Sequence, residues 1–151
     1  MTKQPEKSVQ AGHSDFFVFK RRVAYHETDA LGVVHHSNHI KYFEEARVAW
    51  LRDRGLMAIH APLGPLTFVV LNLSNRYFKA ARFDDELEVR VQCRCEGVRI
   101  FFRYALWSPR LESVIADGTT ELVSCNDSMR PARLPPEISE MIAKEPWGET
   151  W

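Results

Sequence analysis

The segment Tyr25-His26-Glu27-Thr28-Asp29-Ala30-Leu31-Gly32-Val33-Val34-His35-His36-Ser37-Asn38-His39 puts a carboxylate, a glycine, paired histidines and a helix start into 15 residues. Backbone amides at a helix start have no intrahelical partner, and they favour negative charge. A carbonyl aimed at the amides near His36 would be polarised. The oxyanion formed when it is attacked would be stabilised by about 3 kcal/mol for one such donor. Asp29 lies one short loop upstream and can face the same carbonyl carbon, where it would attack directly or activate a water. Gly32 is free to adopt a backbone angle that other residues avoid.

Each residue also has a structural reading. Aspartate in a Thr-Asp-Ala-x-Gly context often forms a turn. His36 could be a packed, hydrogen-bonded histidine, and Tyr25 a core aromatic at a strand end. Glu44 and Glu45 read as solvated helix charges. His26, His35, His36 and His39 suggest a metal, but zinc sites usually add cysteine or carboxylate ligands with a defined second shell, so no metal is expected. Nucleophile elbows, phosphate-binding glycine loops and dinucleotide fingerprints are absent from the sequence.

The elements that must position these residues follow from periodicity. Phe16 to Tyr25 reads as a strand. The one strong helix follows, with Ser37 or Asn38 as its cap and Glu44 and Glu45 in its early turns. Ile40, Phe43, Ala46 and Trp50 form its apolar stripe, widened by Val48 and Leu51. Arg52 and Arg54 suit the last turn, and Gly55 stops it. A loop spans Pro62 to Pro65, and Thr67 to Lys79 is strand-like. Leu87, Val89, Val91, Cys93 and Cys95 then alternate with charged or polar residues, a period of two with one buried face. Gly97 permits a turn, and Val98 to Trp107 alternates again. Phe101 and Trp107 give that strand a second apolar face, as expected if another chain covers it. A further strand runs from Ser113 to Cys125, with a bulge expected near Asp117-Gly118. Pro135-Pro136 opens a short helix containing Ile138, Met141 and Ile142.

The spacing predicts an antiparallel meander and a two-layer α+β domain, one amphipathic helix against one curved sheet. The sheet's edges and other face would favour a dimer. Residues 1–14 read as a flexible segment, 15–135 as the domain, and 136–151 as a short helix and tail.

The chain has 151 residues with 20 basic and 20 acidic side chains. No global field argues for nucleic acid. Met1 to Ser14 lacks the pattern of a secretion signal, and no run approaches the roughly 18 apolar residues of a membrane helix. Three cysteines do not read as a disulfide framework. A cytoplasmic location without a transmembrane segment is therefore expected.

The segment from Tyr25 to His39, continued by Tyr42-Phe43-Glu44-Glu45-Ala46-Arg47, resembles the signature of hot-dog-fold thioesterases of the 4-hydroxybenzoyl-CoA thioesterase type. It is most similar to the acyl-CoA thioesterase branch associated with the bacterial Tol-Pal envelope system. The likeness runs from about Phe17 to Leu134, including Asn75-Arg76-Tyr77-Phe78 and Arg82-Phe83-Asp84-Asp85-Glu86-Leu87. It implies a long helix wrapped by an antiparallel sheet, and homodimers or homotetramers that bind coenzyme A near a subunit interface. The implied activity is hydrolysis of acyl-CoA to free acid and coenzyme A, with no cofactor. Asp29 is implied as the essential carboxylate, with Tyr25 and His36 beside it, and Gly32, Val33 and His35 against the substrate. His35 and His39 depart from the aromatic residues common in relatives, and Ala80 from a frequent proline. These departures bear on the acyl pocket and a strand turn. Lys79, Arg82, Arg130 and Arg133 are candidates for the coenzyme A phosphates. The alternatives are an acyl-carrier-protein thioesterase, which needs a docking surface, and a non-catalytic acyl-CoA-binding protein.

Overall fold

The computed structural model describes residues 15–57 and 66–148. The expected flexible segment 1–14, the loop from Pro62 to Pro65 and the last three residues of the tail lie outside the described residues. The elements in chain order are β1 (Phe17–Arg22), a short 3-10 turn (Tyr25–Glu27), α1 (Ser37–Asp53), β2 (Phe68–Tyr77), β3 (Glu86–Glu96), β4 (Arg99–Ser108), β5 (Ser113–Ser124) and α2 (Pro136–Ala143). The five strands form one antiparallel sheet in the order β1-β3-β4-β5-β2. The meander is thus β3-β4-β5, and the two strands that precede it in sequence become the two edges.

Helix α1 lies against this sheet because one side of it is apolar. Tyr42, Phe43, Ala46, Trp50 and Leu51 are buried together with Leu87, Val89, Val91, Phe102, Tyr104 and Leu106 of the sheet. Phe43 stacks on Tyr104 at 4.8 Å, and Trp50 meets Phe102 edge-on at 5.3 Å. The buried stripe differs from the expected one at its start. Ile40 is exposed, whereas Tyr42 is fully buried. The helix ends as expected at Gly55, whose φ of +70° suits glycine, with the Leu56 N–H returning to Leu51 O at 2.8 Å. Arg54 then pairs with Glu145 through two bonds of 2.8 and 2.9 Å, tying the end of α1 to the end of α2.

Two expectations need correction. Strand β1 stops at Arg22, and the chain turns into the 3-10 segment at Tyr25. The reason is Glu27, whose carboxylate takes the Ala24 N–H at 2.7 Å while its own N–H bonds Ala24 O. The register is regular at Asp117 and Gly118. The bulges fall instead at Leu71 and Ile115, which puts both Ile115 and Ala116 on buried positions and explains the disturbed phase. On the outer face Phe101 and Trp107 are half-buried, with the guanidinium of Arg94 4.4 Å from the Phe101 ring and that of Arg90 4.3 Å from the Trp107 ring.

The turn leading into β3 holds the site loop from below. Arg82 N–H donates to Asp85 Oδ2 at 3.0 Å, and Arg110 grips the same carboxylate with two bonds of 2.9 Å. Burial alone would raise the Asp85 pKa, but Arg110 and the Arg82 amide overcome it and hold the carboxyl below its usual value.

Two outcomes are expected from these contacts. Gly118 faces Asn75 across the ladder, and a Cβ there would come within 2.8 Å of the Phe43 ring and 2.9 Å of Ser74 O. Gly118→Ala should therefore cost about 1–3 kcal/mol in urea unfolding, the usual scale of overpacking; an unchanged midpoint would contradict this. For Asp85, a lowered folded pKa means stability fully present above the unfolded value and lost as pH falls through the folded one. The stability gap between wild type and Asp85→Asn should be widest at neutral pH and narrow on acidification. A gap that does not change with pH would refute the assignment.

Candidate active site

The segment between the 3-10 turn and α1 is a tight loop closed on itself. Asp29 N–H bonds Val33 O at 2.8 Å, Gly32 N–H bonds Asp29 O at 3.0 Å, and Thr28 pairs with Val34. Gly32 sits at φ +78°, the left-handed conformation this reversal requires. Val33 pairs with Arg82, and Val34 N–H donates to Ala81 O at 2.8 Å, so the loop is pinned to the turn before β3.

Within this loop the half-buried Asp29 accepts the Leu31 N–H at Oδ1, 2.8 Å away. Its Oδ2 accepts no hydrogen bond among the described residues. The structural reading and the chemical one therefore coexist: one carboxylate oxygen fixes the turn and the other is left to act.

The start of α1 leaves a matching donor. Val34 N–H goes to Ala81 O, His35 N–H to Glu27 O and Ser37 N–H to His35 Nδ1 (3.2 Å); Asn38 N–H goes to His35 O and His39 N–H to His36 O. The His36 N–H has no partner among the described residues. His36 occupies the N-cap position without a side-chain cap. The expected cap by Ser37 or Asn38 is replaced by the His35 ring, and Asn38 Nδ2 bonds Glu27 O at 2.8 Å.

The structure thus joins Asp29, Gly32 and Val33 in one loop, and His35, His36 and Ser37 at its end. The His35 and His36 rings lie 4.2 Å apart. Tyr25 stands apart from both groups: it is 77% exposed, with its ring edge-on to Phe83 at 5.4 Å. It makes no hydrogen bond to Asp29 or His36. His39 is buried, which lowers its pKa, and its ring faces Tyr77. Among the described residues no three histidine, cysteine or acidic side chains are gathered for a metal ion.

Three supporting residues had no clear sign in the sequence. Glu27 is buried and paired with Arg21 at 2.7 Å, and Arg21 also holds Glu45 and lies 4.0 Å over the Tyr42 ring. Burial raises the Glu45 pKa, with Arg21 opposing it, and burial raises Tyr42 as well. Tyr77 at the end of β2 donates its hydroxyl to His36 O at 3.2 Å. The available clues were the charged pair Arg21 and Glu27 flanking a strand end, and the place of Glu27 and Tyr77 in the stretches that carry the family resemblance.

A cavity of about 70 Å³ opens between α1 and β2, one turn along the helix from His36, lined by Ile40, Phe43, Arg47, Val70 and Leu73 among others. A larger open depression beside Arg133 lies at the Glu96–Arg99 turn. That is the far end of β3, roughly 30 Å from the loop at about 3.3 Å per residue.

Comparison with known proteins agrees with this architecture. The Thioesterase-like superfamily profile matches residues 23–142. The chain is 33% identical over 126 residues to the acyl-CoA thioesterase YbgC of Haemophilus influenzae, covering 81% of this chain and 90% of that protein. It is 30% identical over 129 residues to the acyl-CoA thioester hydrolase YbgC of Escherichia coli, covering 83% and 95%. The fold is shared with the 1,4-dihydroxy-2-naphthoyl-CoA thioesterase of Synechocystis at a TM-score of 0.74 and 21% identity, covering 85% and 96%. With a long helix against a five-stranded antiparallel sheet and a profile match over most of its length, the chain belongs to the thioesterase-like superfamily and has the hot-dog thioesterase fold.

Proposed function

We propose that the chain hydrolyses acyl-CoA thioesters to a free acid and coenzyme A, with Asp29 as nucleophile or general base. The observation that carries this reading is the pair of groups on one pinned loop that have no partner among the described residues: Asp29 Oδ2 and the His36 N–H. The thioester oxygen accepts the His36 N–H, whose partial positive charge at the helix start draws electron density from the carbonyl carbon. In the direct route, Asp29 attacks that carbon, the C–S bond breaks, and water then cleaves the enzyme-bound anhydride. In the general-base route Asp29 takes a proton from water as the water attacks. In both, the leaving thiolate takes a proton to give free coenzyme A, and no cofactor is needed. His36 flanks the reacting group, whereas Tyr25, exposed against Phe83, makes no hydrogen bond to Asp29 or His36 among the described residues. Gly32, Val33 and His35 line the substrate, and the acyl group extends into the cavity between α1 and β2.

The site is completed by a second copy. Strand β2 is an edge strand that exposes Val70, Leu71, Leu73 and Tyr77, with Phe78 directly after it, each at least 44%. Such an edge is a template for pairing. A dimer, or a dimer of dimers, covers it and closes the small cavity. The zero net charge supports no nucleic-acid partner. Three free cysteines fit a reducing cytoplasm, and no described helix is long and apolar enough to cross a membrane.

Thiol release measured on acetyl-, hexanoyl-, palmitoyl- and benzoyl-CoA tests the reading. Turnover of at least one by wild type, with kcat lowered about a hundredfold or more in Asp29→Asn, is expected from the loss of an acid–base or nucleophilic group. Binding without turnover would favour the acyl-CoA-binding alternative, and an Asp29→Asn variant as active as wild type would exclude this mechanism. Separately, Val70→Lys with Leu73→Lys should shift the protein toward monomer in sedimentation and lower its activity. Retention of the wild-type oligomer and rate would show that β2 is not the interface.

A further inference from the structure

We infer that Tyr77 is a positioning residue for the reaction, holding the His36 backbone so that its free N–H points at the substrate carbonyl. The inference rests on the function proposed above. The peptide between His36 and Ser37 is gripped at both ends. Its carbonyl accepts the Tyr77 hydroxyl at 3.2 Å, and its N–H donates to His35 Nδ1 at 3.2 Å. The preceding peptide is held on one side only: its carbonyl, that of His35, takes the Asn38 N–H at 2.9 Å, while its N–H is the unpaired one. With the flanking peptide fixed, His36 keeps its helical φ of −55° and ψ of −28°, and the direction of its N–H is set.

Tyr77 is itself oriented. Asn75 stands two residues away on the same face of β2, and its Nδ2 donates to the Tyr77 hydroxyl oxygen at 3.4 Å. That oxygen can then pass its own proton toward His36 O, and chains of this kind strengthen each bond in them. The Tyr77 ring also meets the buried His39 ring edge-on at 4.8 Å, one turn into α1. Asn75 lies close to Gly118 because glycine leaves it the space. A strand edge, rather than the catalytic loop, thus sets the aim of the polarising amide. Nothing in this chain of contacts touches the reacting atoms.

The test compares wild type, Tyr77→Phe and Asn75→Ala as full-length proteins on the acyl-CoA that wild type turns over fastest. Tyr77→Phe keeps the ring and removes one hydrogen bond. It should lower kcat about five- to tenfold, the size of one such bond, with KM within about twofold. Asn75→Ala should lower kcat in the same direction by a smaller factor. A second readout is the infrared carbonyl stretch of the thioester bound to Asp29→Asn, which should lie closer to that of free thioester once Tyr77→Phe is added. A purely structural or interface role for Tyr77 would change melting temperature or KM but not this split. Unchanged kcat in Tyr77→Phe, an effect on KM alone, or an unmoved carbonyl stretch would each overturn the inference. If Tyr77→Phe does not fold, an unchanged kcat in Asn75→Ala does so instead. Failure of wild type to cleave any acyl-CoA overturns the functional reading and this inference together, so the two failures are distinguishable.

Discussion

Glu27 is the junction through which the rest of the site is built. Its carboxylate accepts Arg21 Nη2 and the Ala24 N–H, both at 2.7 Å, and its backbone carbonyl accepts the His35 N–H and Asn38 Nδ2 at 2.9 and 2.8 Å. One buried residue thereby joins the end of β1, the two ends of the catalytic loop and the first turn of α1. A buried charge pair adds little net stability compared with apolar residues, but removing one partner costs about 3–5 kcal/mol because the other is left uncompensated. The arrangement therefore acts as a constraint on geometry. It ties down both ends of residues 28–36, and among the described residues the His36 N–H is left without a partner.

The same constraint explains the division of labour in the loop. A carboxylate with both oxygens in solvent would rotate freely, and hydrogen bonds to both oxygens would lower its basicity. Asp29 spends one oxygen on the Leu31 amide and keeps the other. The pins at Val33 and Val34 come from the Ala81–Asp85 turn, which Arg110 fastens to the far end of β4. From the other side, β2 reaches the helix start through Tyr77. The geometry of the proposed site thus depends on both edges of the sheet, while the meander in the middle supplies the core that α1 covers.

Much of this fold was legible in the residues. The alternation from Leu87 to Cys95 marks β3 without ambiguity, and Gly55 marks the end of α1, because strand period and left-handed glycine are local signals. The two bulges were not legible in place. The disturbed phase near Asp117 was visible, but the residue that slips is Ile115, and only its partners across the ladder decide that. Ile40 fits a helical stripe yet is exposed, at the rim of the cavity between α1 and β2. That a loop around Asp29 leads into a helix start near His36 was readable from residue type and spacing. Glu27, Arg21, Asn38 and Tyr77 were not, because their roles rest on contacts between segments up to 41 residues apart, which no periodicity encodes. Tyr25 is the opposite case: its position in the motif suggested the chemistry, whereas it stands exposed against Phe83.

The central claim is that the Asp29 carboxylate and the His36 amide converge on one bound carbonyl. A crystal structure of the full chain with an acyl-CoA ketone analogue, in which a methylene replaces the thioester sulfur, measures this directly. The account predicts the ketone oxygen about 3 Å from His36 N and an Asp29 oxygen about 3–3.5 Å from the carbonyl carbon, or one water away from it. A ketone bound with its oxygen elsewhere, or with Asp29 turned away from its carbon, would contradict the account.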